Sequence, residues 1–393
     1  MRRRTSGSPG PGPDPLRGRD FRLLLLATFG AVSNYATLLS VVPLWAASGG
    51  SGGTGVGATT GVVMGATVLS QLAMGRLFRV LSLRQLLAVG AALMAVATPA
   101  YALSDSLLPV LAVSAVRGVG FGLVVVAGGA LTAELIPNAQ LGKGVGWYGL
   151  STGLPSVVCL PAGVWVAQEV GYVPVFVVTS ALAFVAIPVI LGVGHCPPKR
   201  AATARGVTER PGRLRSLMPS WTLMIPGAVG LGGISTFLPL ALEHPATASI
   251  ALFAVSIGVI TGRLSAGAAA DVIGSGQLLL PAVVASSLGM AGIAVVTGTG
   301  ASGMLAPLAA ITYGLGWGFV QNDTLVIMLR RAGPGGHGLA STVWNIAFDG
   351  GTGVGAVLLG LIVALAGHAW AFAVAAALIA VTTPLAWWEG RRA

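Results

Sequence analysis

The chain has 393 residues, of which 54% are hydrophobic and only 8% charged, with a formal net charge of +11 and a mean hydropathy of +0.86. Soluble domains carry charge on about 25% of their residues. No aqueous core of this length buries so much apolar surface, so the solvent is lipid and a water-soluble enzyme or nucleic-acid-binding domain is excluded.

A bilayer crossing takes about 20 apolar residues. The pattern predicts twelve such stretches, at 21–46, 56–77, 86–103, 107–135, 144–166 and 173–193, then at 221–242, 248–270, 278–296, 304–329, 338–366 and 369–388. They are continuously apolar rather than alternating, which predicts helices and not barrel strands. The 59 glycines suit helices that approach closely in lipid. Residues 1–20, rich in Arg, Gly and Pro, read as a disordered cytoplasmic tail. The first span reads as a retained signal anchor, because its apolar core is too long for a cleaved leader.

All Lys and Arg residues except Arg117 and Arg263 fall in the tails, in the even-numbered loops or at helix ends beside them. The odd-numbered loops hold Asp105, Glu169 and Glu243 instead. This positive-inside bias predicts two cytoplasmic termini in a cytoplasmic membrane and explains the basic balance without nucleic acid. Residues 194–220, with six Lys and Arg from Lys199 to Arg215, read as a cytoplasmic linker. They separate a bundle at 21–193 from one at 221–388, and 389–393 form a short cytoplasmic tail. Cys159 and Cys196 face no oxidising compartment in this topology, and no metal-ligand spacing occurs.

The two bundles repeat each other. Val42-Pro43-Leu44 returns as Leu238-Pro239-Leu240, and Arg117-Gly118-Val119-Gly120-Phe121-Gly122 returns as Tyr313-Gly314-Leu315-Gly316-Trp317-Gly318. The run Gly267-Ala268-Ala269-Ala270-Asp271-Val272-Ile273-Gly274 has a worn copy in which Gln71, Gly75, Arg79 and Ser82 replace Arg263, Gly267, Asp271 and Gly274. Both bundles begin on the same side, so the repeats are parallel.

These motifs resemble the major facilitator superfamily across all twelve spans. GxxxDxxG between spans 8 and 9 looks like its signature loop, and Arg117 with its glycines looks like its span-4 arginine motif. Gly149, Gly153, Pro155, Pro161 and Gly163 resemble the antiporter motif of span 5, with Leu160 where a glycine is usual. The resemblance implies an all-α membrane protein of two pseudo-symmetric six-helix bundles, with a cavity lined by spans 1, 4, 7 and 10 that opens to each side in turn. It implies a secondary transporter driven by the proton motive force, without a cofactor or metal. A proton-coupled exporter of a small organic molecule leads, acting as a monomer in the bilayer. An importer or uniporter of a sugar-like solute and a non-transporting receptor of the same fold are the alternatives. A membrane enzyme lacks the clustered nucleophile, base or metal ligands it would need.

Ionisable groups at membrane depth mark function by default. Asp349, roughly 15 Å into span 11 at 1.5 Å per residue, suits a proton carrier or a helix-packing carboxyl. Gln321, Asn322 and Asp323 follow one another on span 10, and successive positions about 100° apart cannot all face lipid. Arg117 keeps its charge, so it tunes a carboxyl, holds an anion, or bonds span 1 near Asn34. Arg117, Asp323 and Asp349 are the proton-coupling candidates. Asn34, Tyr35, Tyr313, Trp317, Gln321, Asn322 and Asn345 are the substrate-binding candidates. Gly75, Arg79, Lys143, Arg263, Gly267, Asp271 and Gly274 are the gate. Pseudo-symmetry puts Asp271 near Lys143 at the start of span 5, which predicts one cytoplasmic latch rather than two.

Overall fold

The computed structural model describes residues 18–137, 140–194, 211–300, 305–333 and 337–392. Every described element is helical. In order they are α1 (Arg19–Ser48), α2 (Gly53–Leu77), α3 (Leu83–Ala97) with a 3-10 continuation (Thr98–Leu103), α4 (Leu107–Leu135), α5 (Leu141–Glu169) and α6 (Tyr172–Leu191). The second half holds α7 (Pro211–Ala241), α8 (Pro245–Ile273), α9 (Leu279–Thr299), α10 (Leu305–Ala332), α11 (His337–Ala366), α12 (His368–Val381) and α13 (Thr383–Gly390). Among the described residues, eleven segments are long and apolar enough to cross a membrane. The long helix outside that group is α10, whose Gln321, Asn322, Asp323, Arg330 and Arg331 lower its hydropathy.

Local chemistry sets the boundaries. Ser82 starts α3 with a capping box: its Oγ accepts the Gln85 N–H while Gln85 Oε1 accepts the Ser82 N–H. Pro99 then tightens the end of α3 into a 3-10 turn. Gly274 ends α8 at φ +88°, and Gly367 separates α11 from α12 at the same φ, a region costly for any residue with a Cβ.

Two expected boundaries move. Residues 211–220, expected in the linker, are the first turns of α7, and residues 195–210 lie outside the described residues. Glu389, expected in the tail, is fully buried on α13. It takes a two-pronged ion pair from Arg331 (2.7 and 3.0 Å) and a hydrogen bond from Ser220 Oγ, which ties α13 to α10 and α7. A partner three helices away is invisible to a hydropathy pattern, so a buried carboxylate at the chain end read as a solvated tail.

The repeat in sequence is a repeat in packing. A Cβ at Gly118 or Gly122 would strike Val63 O or Ser70 Oγ on α2, and one at Gly120 would strike Gly90 O on α3. In the second half, Gly314 and Gly318 press on Val255 O and Val259 O of α8, and Gly316 presses on Ala282 O of α9. Each GxGxG thus seats its helix between the second and third helices of its own half.

The halves meet unevenly. Near the face opposite the chain termini, the Ser40 hydroxyl donates to Ser235 O (2.6 Å) and Thr60 bonds Thr236 (2.9 Å). There α2 also lies close on α11, with Gly53 and Gly57 against the backbone of Gly360 and Ala356 and Gly61 against the Val357 side chain. On the terminal side, by contrast, a Cβ at Gly75, Gly146, Gly149 or Gly267 would meet nothing within 4 Å. The closest described contacts between the halves on the α2–α11 side thus lie toward the face opposite the termini.

Candidate functional site

Arg117 on α4 is 3% exposed. Its guanidinium donates to Tyr101 Oη (3.2 Å), to Asn34 Oδ1 (3.2 Å) and to Asn34 O (3.4 Å), and its Nε has no partner. Asn34 completes the cluster by donating to Thr98 Oγ1 (2.9 Å) and Thr179 O (3.1 Å). Arg117 therefore welds α1 to α4 within the first half, and the bond to span 1 is the arrangement present. Tyr313 stands at the equivalent place in the second half and also reaches its first helix, donating to Gly227 O at 2.7 Å. A crevice bordered by Arg117, Tyr35, Thr59 and Thr60 has an accessible volume of about 10 Å³, room for about one water molecule.

The Asn34 network is fully satisfied on the asparagine side, and such networks are costly to break in part. Asn34→Leu should lower stability by on the order of 1.5–3 kcal/mol, the range for bonds to a charged group. Thr98→Val, which removes one of the Asn34 bonds and a local bond to Met94 O but none to the charged Arg117, should cost less. Thermal unfolding of the purified protein in detergent measures both, and equal effects would contradict the shared role given to Asn34.

Asp349 lies near the middle of α11 and is 4% exposed. Its Oδ2 accepts from Gln71 Nε2 on α2 at 2.6 Å, a bond between the two halves. Gln71 is 6% exposed and its Oε1 has no other partner. Tyr35 on α1 lies in the electrostatic fields of both Asp349 and Arg117, stacks on Phe121 (centroids 3.5 Å apart) and points its hydroxyl at Met64 Sδ. One turn toward the terminal face, Asn345 donates to Ser341 O (2.9 Å). Ser341, Asn345 and Asp349 thus form a polar stripe at four-residue spacing, on one face of α11. Sequence reasoning named Asp349, Tyr35 and Asn345 but missed Gln71. The available signal was its place in the worn repeat, where the second copy carries Arg263.

The α10 candidates are not brought to this seam. Asp323 Oδ2 accepts from the Gly276 N–H (3.0 Å), which pins the α8–α9 loop, while neighbouring Arg330 donates to Ser275 Oγ (2.7 Å). Asn322 sits beside it, half-buried, and Gln321 is buried. Trp317 packs against Gly227 and stacks with Phe348 inside the second half. These burials separate Asp323, Tyr313 and Trp317 from the Tyr35–Gln71–Asp349 group.

Of the gate candidates, Arg79 is exposed, Gly75 and Gly267 stand in open space, and Gly274 forms the α8 terminus. Arg263 is half-buried on α8. Lys143 and Asp271 lie on α5 and α8, and their side chains fall outside the described ones.

The profile of the Major Facilitator Superfamily matches residues 24–352. The chain belongs to this superfamily. Solved structures similar to this major facilitator protein include a mutant of the nucleoside transporter NupG (15% identity, TM-score 0.73, covering 94% of this chain and 98% of that one). A POT family transporter in complex with a thioalcohol-conjugated peptide is another (12% identity, TM-score 0.79, 95% and 96% coverage). So is the xylose transporter XylE from E. coli in a partially occluded inward-open conformation (13% identity, TM-score 0.75, 94% and 96% coverage). At these identities the likeness is one of fold. The sequence matches no functionally curated protein at a significant level. Superfamily membership makes the protein a multi-pass membrane transporter and not an enzyme.

Proposed function

We propose that this protein is a proton-coupled exporter of a small organic molecule, working by alternating access, with Asp349 as the coupling carboxyl. The observation that carries this reading is the buried Asp349 carboxyl at the seam between the halves, bonded across it by a neutral amide. A carboxyl so placed can gain or lose a proton as the seam opens, and each protonation state favours a different arrangement of the halves. The polar stripe through Asn345 and Ser341 gives protons a path from the terminal face. That face would be cytoplasmic by the distribution of Lys and Arg, in a monomer energised by the proton motive force. Tyr35 would contact substrate beside Asp349.

The span-5 glycines and prolines favour export. A second reading, import or uniport of a sugar- or nucleoside-like solute, draws on the names of the similar transporters. The test is flux in proteoliposomes with an imposed pH gradient, using solutes first chosen by thermal-shift screening. The expected result is uphill solute flux that collapses with the gradient and becomes gradient-independent in Asp349→Asn. Flux indifferent to the gradient in the unmodified protein would sink proton antiport and leave uniport. Ligand stabilisation without any flux would favour a receptor.

A further inference from the structure

The two halves meet along two pseudo-symmetric seams, α2 with α11 and α5 with α8. At the 196-residue offset that aligns α5 with α11, the position equivalent to Asp349 is Gly153, and Gly153 faces Ile260 of α8. At the 192-residue offset of the loop motif, the position equivalent to Gln71 is Arg263. One seam thus carries an arginine and no acid at these positions. The other carries an acid, and there the arginine's place is taken by an amide.

The chemistry of that exchange is specific. An arginine at 71 would form a two-pronged, charge-assisted pair with Asp349 and fix it as a carboxylate. An apolar residue would leave a buried charge without a donor. The carboxamide avoids both. Its Nε2 donates to the carboxylate at 2.6 Å, and its Oε1, which has no other partner, can turn to accept the proton of the carboxylic acid. The other groups around Asp349 do not replace it. Tyr35 on α1 directs its hydroxyl to Met64, Arg117 on α4 is committed to Asn34 and Tyr101, and α7 presents Ile225 and Ala228 to neighbouring Gly351. Asn345, on the same helix, donates to Ser341.

We infer that Gln71 is a positioning residue that holds Asp349 across the seam without fixing its charge, and that the neutrality of position 71 is what lets this seam respond to protons. The inference rests on the reading of Asp349 as the coupling carboxyl.

The experiment measures distances between spin labels at the exposed positions of Val80 and Val272, one on each half at the terminal face. The full-length protein in lipid nanodiscs is compared from acidic to mildly alkaline pH, with its cysteines replaced by serine. The unmodified protein should change its distance distribution with pH, and Asp349→Asn should not. Gln71→Arg should lose the pH response and stay at the distribution the unmodified protein shows at alkaline pH. Gln71→Leu, which removes the donor without adding charge, should keep a response with a displaced midpoint. In the double variant Gln71→Arg/Asp349→Asn the arginine has no carboxylate to hold, so the alkaline distribution should be lost.

A Gln71→Arg profile that titrates like the unmodified protein, while Asp349→Asn is flat, overturns the role of Gln71 and spares Asp349. A flat Gln71→Leu profile also overturns it, because the charge at 71 would then be irrelevant. An Asp349→Asn profile that still titrates overturns the coupling reading itself.

Discussion

Gly57→Leu should drive the two halves apart at the face opposite the termini and bring them together at the terminal face. A Cβ at Gly57 falls on the Ala356 carbonyl oxygen, a backbone atom with nowhere to go. The flanking approaches of Gly53 to Gly360 O and of Gly61 to the Val357 side chain leave no slack along the seam. Added bulk in a well-packed contact costs about 1–3 kcal/mol. Spent wholly against one of two alternating states, that is a population change of roughly 5- to 150-fold. Gly65→Leu is the control, about two turns along α2 at an exposed position with nothing within 4 Å of its Cβ. Spin labels at the exposed positions of Leu103 and Leu365 report the opposite face, and labels at Val80 and Val272 report the terminal face. Longer Leu103–Leu365 and shorter Val80–Val272 distances in Gly57→Leu alone are expected. Equal shifts in both variants, or none, would show that the glycine seam does not hold this face closed.

Glu389→Ala should be the most destabilising single change at the C-terminal end, by about 3–5 kcal/mol, the usual cost of orphaning one partner of a buried ion pair. Glu389 is fully buried, while the Arg331 side chain keeps about a fifth of its surface exposed. Removing the acid therefore leaves a cation with partial access to water, which sets the expectation toward the lower end. Ser220 also loses its acceptor, while Arg331 keeps its bond to the Ser216 carbonyl. Replacing both charges, as Arg331→Met with Glu389→Leu, should recover much of the loss, because an apolar pair of similar volume avoids the desolvation of two ions. The loss of thermal stability in detergent measures each variant. A double variant worse than Glu389→Ala alone would mean that α13 is held by the charges themselves and not by their compensation.

The two clusters divide the work differently. Arg331 and Glu389 bind helices of one half to one another, and Arg117 with Asn34 does the same in the other half. Rigid halves are what alternating access requires, because motion must concentrate where they meet. Gln71 and Asp349 occupy that meeting line, and Gln71 is itself the first position of the worn loop motif that marked the repeat.

The parts of the candidate site that could be read in advance were those carried by residue type and depth. Asp349 stood out because a carboxylate in the middle of an apolar run is costly anywhere except at a partner or a cavity. Arg117 stood out for the same reason, and its bond to span 1 was one of the roles open to it. Asp323, nearer the terminal end of its span, was a second candidate, and its Oδ2 accepts from the Gly276 amide. Trp317 could equally have lined a cavity or filled a core by its position, and it packs in the second half against Gly227. Hydropathy and helical period say how deep a side chain lies, and they do not say which neighbour it meets.

The solvent, the helices, the doubling of the chain and the resemblance to the superfamily were legible in the residues alone. Each of these rests on signals that are local or periodic: apolar length, the placement of Lys and Arg, and glycines repeated at one offset. Folding in three dimensions was needed to show that Gln71 faces Asp349, that Arg331 finds Glu389, and that α2 seats its glycines on α11 toward the face opposite the termini. Those pairings join residues far apart in the chain, 278 positions in the case of Gln71 and Asp349. They depend on the rotation of one packed helix against another, which no single segment encodes.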